Sequence, residues 1–130
     1  MLILTIRTDK PEAELGLYEK ESRLAYSTWM AHRELAETIH NQLEKLINGQ
    51  HQTIHDLQAI ITYQGPGSFT GLRIGLSVAN ALAYGLDIPI VACGKDDWIK
   101  TGIKRLESGE NDKLALPEYG SLPNITQQRK

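Results

Sequence analysis

Gly65-Pro66-Gly67-Ser68-Phe69-Thr70-Gly71-Leu72-Arg73-Ile74-Gly75, running on to Leu86, decides how the rest of the chain is read. The apolar run Leu57–Tyr63 breaks off at this glycine-proline turn, and a long helix-like segment, Gly71–Leu86, follows it. Strand, tight loop and helix in that order aim loop amides and the positive end of a helix dipole at one point. That is a common way to build an anion site. Gly65 and Gly67 permit backbone angles that a side chain forbids, and Pro66 stiffens the turn between them. Ser68 and Thr70 carry hydroxyls suited to helix capping. Arg73 is the one cation just past the loop, placed to meet an anion there or a carboxylate on the surface. No standard phosphate motif is matched: the Lys-Ser/Thr pair of a Walker A loop is absent, and the glycine spacing misses the dinucleotide fingerprint by one residue. A ligand loop and a purely structural turn both remain open.

The chain has 130 residues, which predicts one domain or a minimal version of a larger one. A net charge of −2 gives no global pull toward nucleic acid or anionic membrane, so any nucleic-acid contact is local or made by a partner. The single cysteine, Cys93, sits in an apolar run without a second cysteine to pair with. This predicts a buried thiol in a reducing compartment. The opening residues lack the features of a signal peptide, and no apolar run is long enough to span a bilayer. The expectation is a soluble, cytoplasmic protein.

Taken in order, Met1–Thr8 is apolar on both faces through Leu4, as in a central strand. Ala13–Glu19 and Arg23–Trp29 alternate, and short turns join all three runs, which predicts an antiparallel meander. The period then changes: Leu35, Ala36, Ile39, Leu43, Leu46 and Ile47 recur at helical steps. Asn48-Gly49 is expected to end that helix in a left-handed cap. The strand Leu57–Tyr63, the glycine loop, its helix and a short strand, Ile88–Cys93, follow. Three strands, then helix, strand, helix, strand, is the order of the ribonuclease-H-like α/β domain. Residues 1–94 are read as that domain. Residues 95–130 are read as a short helix over Asp96–Leu106, a short strand at Lys113–Leu116 and an extended tail.

The Gly71–Leu86 helix is apolar on nearly every side. Leu72, Leu76, Ala79 and Ala83 line one side, while Ile74, Val78, Leu82 and Leu86 occupy others. Gly71, Gly75 and Ala79 form a small-residue row where another backbone can approach closely. A helix apolar all round is either enclosed in one protein or shared with a partner, and in so short a chain the reading favours a partner.

Catalytic alternatives find little support. His51 and His55 lie in a polar connector, and His32 and His40 are two helical turns apart, so metal-ligand spacing is missing. Ser68 lies in no Gly-x-Ser-x-Gly elbow. Glu34, Glu37 and Glu44 fall on the polar side of an amphipathic helix.

The loop Gly65–Gly75, the alanine-rich helix after it and Gly85-Leu86-Asp87-Ile88-Pro89-Ile90-Val91 together resemble the signature of the TsaB (YeaZ) family of tRNA threonylcarbamoyladenosine biosynthesis proteins. The resemblance covers roughly residues 1–94 and includes His32 and Leu35. Pro117-Glu118-Tyr119 is similar to a Pro-x-Tyr near the family's C-terminus. The resemblance implies half of an actin-like ATPase fold and a non-catalytic subunit that supports a catalytic TsaD-like subunit together with a TsaE-like ATPase. ATP and metal are then expected on the partners, none on this chain, with tRNA contacted indirectly and no membrane involved.

The implied partner interface comprises His32, Leu35, Ala36, Ile39 and Leu43 on the first helix. On the second it comprises Leu72, Gly75, Leu76, Ala79, Leu82 and Ala83. The same residues would join two copies when TsaD is absent. The loop residues Gly65, Pro66, Gly67, Ser68, Phe69, Thr70, Gly71 and Arg73 would shape the junction. Two departures stand out. Arg7 precedes Thr8 where the family's first strand usually carries Asp, which argues against autonomous ATP hydrolysis. The chain also leaves little room for a second α/β half, so it is expected to be a naturally reduced or a trimmed form. The alternative function is a small ATP-binding or ATP-hydrolysing protein using the Gly65–Gly71 loop. A peptidase role has no residue in its favour.

Overall fold

A strand that is apolar on both faces needs neighbours on both edges and cover on both sides, and Leu2–Arg7 (β1) has all of these. The computed structural model describes residues 1–67 and 69–118, without the side chains of His32 and Phe69. β1 pairs antiparallel with Glu12–Glu19 (β2) on one edge and parallel with Ala59–Tyr63 (β4) on the other. Ser22–Met30 (β3) pairs antiparallel with β2, and Ile90–Cys93 (β5) pairs parallel with β4. The result is one five-stranded mixed sheet in the order β3-β2-β1-β4-β5, the ribonuclease-H-like arrangement the sequence predicts.

Register fixes which side chains share a face. Leu4 stands beside Leu17 and Ile60, and Ile6 beside Leu15 and Thr62. That face carries Leu35–Asn48 (α1) and Phe69–Leu86 (α2). Trp29 of β3 donates its indole N–H to Thr38 of α1 at 2.9 Å, and Thr8, just past β1, packs on α2. The opposite face carries Ile61, which lies against Gly102 of Trp98–Glu107 (α3), and Tyr63, whose ring meets Trp98 edge-on at 5.8 Å. α3 lies over β4 and β5, so Leu24 and Tyr26 of β3 on that side remain exposed. The core is one continuous cluster that includes Leu106 and Ala115, so residues 95–118 pack on the same sheet as the residues before them.

Three details differ from the sequence reading. Gly49 does not adopt the left-handed cap, since its φ is −61°. α1 closes two residues later, where His51 has φ +58° and Gln52 N–H reaches the Ile47 carbonyl. α2 closes in the same way at Asp87 and α3 at Gly109. Each is a left-handed residue flanked by the paired hydrogen bonds that satisfy a helix's last carbonyls. Second, Lys113–Leu116 is not a strand. The outer edge of β5 is already occupied by Asn111, which accepts from Ile90 N–H, and by Asp112, which accepts from Ala92 N–H. The chain instead crosses α2, where the Asn80 amide both donates to and accepts from the Ala115 backbone at 3.0 and 2.7 Å. Glu118 N–H then reaches the Gln64 carbonyl. Third, β4 and β5 each start two residues later than expected, at Ala59 and Ile90. Tyr119 and the tail Asn124–Lys130 lie outside the described residues. Among the described residues no helix is long and apolar enough to cross a membrane.

Asn80 is therefore the clamp that holds this strap across α2. Asn80→Ala leaves the N–H and C=O of a buried alanine without partners, a loss of about 1–3 kcal/mol. Urea denaturation should show that loss with the far-ultraviolet dichroism unchanged.

Candidate functional site

The carboxyl ends of β1, β4 and β5 meet at one edge of the sheet, where open α/β sheets hold their ligands. β1 delivers Arg7, Thr8 and Asp9 to this edge, and β4 delivers Tyr63 followed by the glycine loop. Arg7 grips Asp9 with both ends of its fork, Nε to Oδ1 at 2.7 Å and Nη2 to Oδ2 at 3.3 Å. The two side chains are only 16% and 6% exposed. The guanidinium also lies 3.9 Å from the centre of the Tyr63 ring, whose hydroxyl donates to the Pro66 carbonyl. Burial pulls the Arg7 pKa down, but the hydrogen bond and charge of Asp9 outweigh it and leave it raised. Burial pushes the Tyr63 phenol up, and Arg7 opposes the shift.

The loop closes over this pair. A side chain at Gly67 would collide with the Asp9 Cβ and come within 2.9 Å of its Oδ2, so the loop and the end of β1 touch backbone to side chain. The edge is thus occupied by its own charges, a carboxylate and a guanidinium paired with each other. Of the loop residues singled out from the sequence, Gly65 is buried and Gly71 half-buried, while Pro66, Gly67, Thr70 and Arg73 are exposed. Ser68 and the side chain of Phe69 lie outside the described residues. Cys93 is buried, and burial pushes its thiol pKa up against the opposing pull of Arg105, so it is no activated nucleophile. Among the described residues no three of His, Cys, Asp and Glu gather at metal-binding distance.

The helix pair is phased differently from the sequence reading. Leu35, Ile39 and Leu43 of α1, and Leu72, Gly75, Leu76, Ala79 and Ala83 of α2, lie inside the chain's own core rather than on its surface. The reason is visible at Gly75. Thr8 sits in the notch this glycine leaves and donates its hydroxyl to the Gly71 carbonyl at 2.7 Å. At Gly75 the small-residue row therefore receives the end of β1. Of the expected interface residues, Ala36 is exposed and Leu82 half-buried; the side chain of His32 is outside the described set.

The surface the pair does present is its other stripe. Ala36, His40, Arg73, Ile74, Ser77 and Val78 line a shallow groove of about 340 Å³ between α1 and α2. It continues past Ile74 into a second groove of about 490 Å³ bounded by Lys10, Arg33 and Thr70. Tyr84, two residues beyond Leu82 on α2, is 91% exposed. His40, Ser77 and Tyr84 were not anticipated from the sequence. The signal available for this face was the row Ile74, Val78 and Leu82 at four-residue steps.

The model of the family described as TsaD, tRNA N6-adenosine threonylcarbamoyltransferase, matches residues 29–95, which hold both helices and the glycine loop. The TsaB protein of Bacillus subtilis is 34% identical over 93 residues, covering 71% of this chain and 40% of that protein. The chain belongs to the TsaD family and is TsaB/YeaZ-like. The TsaB protein of Escherichia coli is 29% identical over 117 residues, covering 82% of this chain and 48% of that one. The solved YeaZ structure from Pseudomonas aeruginosa superposes with a TM-score of 0.66 over 72% of this chain and 45% of that one, at 23% identity, and so shares the fold. The chain thus spans less than half the length of these TsaB/YeaZ relatives.

Two variants separate structure from surface at this site. Gly75→Ala forces a methyl into Thr8 and should cost about 1–3 kcal/mol by the usual penalty for overpacking, read as a lowered midpoint in denaturant. Arg7→Ala strands the Asp9 carboxylate in a buried position and should cost about 3–5 kcal/mol. The double variant with Asp9→Ala should recover part of that loss, and a double variant no more stable than Arg7→Ala would contradict the assignment.

Proposed function

We propose that the chain is a non-catalytic subunit in tRNA threonylcarbamoyladenosine biosynthesis, binding and supporting a TsaD-like catalytic subunit through the outer faces of α1 and α2. The reaction served is transfer of threonylcarbamoyl to an adenosine beside the anticodon, with a TsaE-like ATPase as the third component. ATP and metal sit on the partners, tRNA is reached through them, and the setting is the cytoplasm. When the catalytic subunit is absent, a second copy of this chain covers the same helices.

One observation carries this reading beyond family membership. α2 has a single charged residue, Arg73, in its eighteen residues, and its outward side still presents Ile74, Val78, Leu82 and Tyr84. A helix of that composition with one face on a sheet asks for cover on the other. The alternative, an ATP-binding protein using the Gly65–Gly71 loop, is disfavoured by the strand edge itself. A carboxylate already gripped by a two-pronged guanidinium is poorly available to a hydrated metal, and the loop packs onto that pair.

The test is co-purification with the TsaD-like subunit of the same organism, using Ala36→Trp. This exposed position should tolerate the substitution with an unchanged melting temperature, while the complex is lost on size-exclusion chromatography. Full retention of the complex by Ala36→Trp would place the contact elsewhere. Calorimetry with ATP and magnesium on the isolated chain checks the alternative, and a micromolar isotherm would favour it.

A further inference from the structure

The seam between α1 and α2 is electrically one-sided. Lys10, from the turn after β1, and Arg33, from the short 3-10 turn ahead of α1, bound the same groove as Thr70 and Gly71 at the start of α2. Arg73 and His40 line its continuation. No Asp or Glu lines either groove. Lys10 and Arg33 have no ion pair among the described residues, and Asp9, next to Lys10 in sequence, is held by Arg7. This local excess runs against the sign of the whole chain, whose net charge is −2, so it is not a by-product of a basic composition. In that continuation Arg73 and His40 stand beside an otherwise apolar or neutral lining of Ala36, Ile74, Ser77 and Val78.

Resting on the reading that this helix pair docks a partner protein, we propose that the docked surface is an apolar helical stripe flanked, at the end that meets Lys10 and Arg33, by carboxylates. A second copy supplies the wrong chemistry there: its own seam brings the same cations and no acid, so self-pairing gains no charge complementarity. An RNA backbone is anionic along its whole length and favours cations spread along the groove. Here Lys10 and Arg33 bound one groove, and beyond them Ala36, Ile74 and Val78 give the floor an apolar strip beside Arg73 and His40, which fits an amphipathic protein helix laid in a groove. The carboxylates select the catalytic partner over self-association and fix its direction along the seam.

The test is binding of the TsaD-like subunit by wild type and by the double variant Lys10→Glu/Arg33→Glu, measured at low and high salt. Both replaced residues are exposed, so the variant should melt with the wild type. Charge reversal should weaken the complex by about tenfold or more, and salt should weaken the wild-type complex while barely affecting the variant. Self-association of the isolated chain should lack that loss on reversal and should not weaken with salt. Equal affinity of variant and wild type at both salts, with Ala36→Trp still abolishing binding, would overturn the charge match and leave the docking face standing. Retention of the complex by Ala36→Trp, or no wild-type complex at all, would overturn both. A variant that keeps the protein complex but loses binding to an anticodon-stem transcript would assign the cations to RNA instead.

Discussion

The contact between Thr8 and α2 sets the rest of the molecule. Thr8 closes the first strand, fits the notch at Gly75 and donates to the Gly71 carbonyl. A larger residue at Gly75 would push the helix off the strand end, so the glycine fixes both the distance of α2 from the sheet and its rotation about its own axis. Rotation is the consequential part. With Leu72, Leu76, Ala79 and Ala83 turned inward, Ile74, Val78, Leu82 and Tyr84 are necessarily turned partly or wholly outward. The composition of the outer face thus follows from a contact on the inner one.

The fold was largely legible because its signals are local and redundant. The alternation of β2, the two-sided apolarity of β1 and the change of period at Leu35 each identify an element, and the order of elements nearly dictates the topology. The rotation of α2 was not legible, because a helix with apolar residues on several sides has no strong amphipathic direction to read. Two stripes were present, Leu72-Leu76-Ala79-Ala83 and Ile74-Val78-Leu82, and only the location of Thr8 distinguishes them. The helix ends were hidden for a related reason. His51 and Asp87 take left-handed angles that composition assigns to glycine, and each does so where the following amide can reach back to the helix's last turn. The strap was missed because its partners are side chains, and neither Asn80 nor Asp112 carries a sequence signature for such a contact.

The two edges of the sheet are finished differently. At β5, Asn111, Asp112 and Arg105 occupy backbone groups that a further strand would use, and Arg105 is itself tied to Glu110 and Asp112. These pairings, Asp112 first and Glu110 next, raise the Arg105 pKa. At β3 the edge is left open, with Met30 and Tyr26 exposed. Capping by side chains rather than by another strand ends the sheet at β5 without adding an edge that could recruit a second sheet. It also commits the residues after α3 to this domain, since the same strap runs on to Asn80 and Gln64.

The strand edge and the helix face then divide the roles that an α/β domain can take. At the edge, Arg7 and Asp9 are directed at each other beneath a loop whose Gly67 admits no side chain, which disfavours their use on a ligand. Exchanging that pair for a free carboxylate would open the crevice but leave α2 where Thr8 holds it. The helix face has the opposite character. Ile74, Val78 and Leu82 are only partly covered by the core, and Lys10 and Arg33 lie beside them along the same seam. Binding there needs no movement of the backbone, because the rotation that exposes it is already enforced from within. The two regions therefore differ in kind: Arg7 and Asp9 are paired with each other at the strand edge, while Ile74, Val78, Leu82 and Tyr84 leave apolar surface on the helix face.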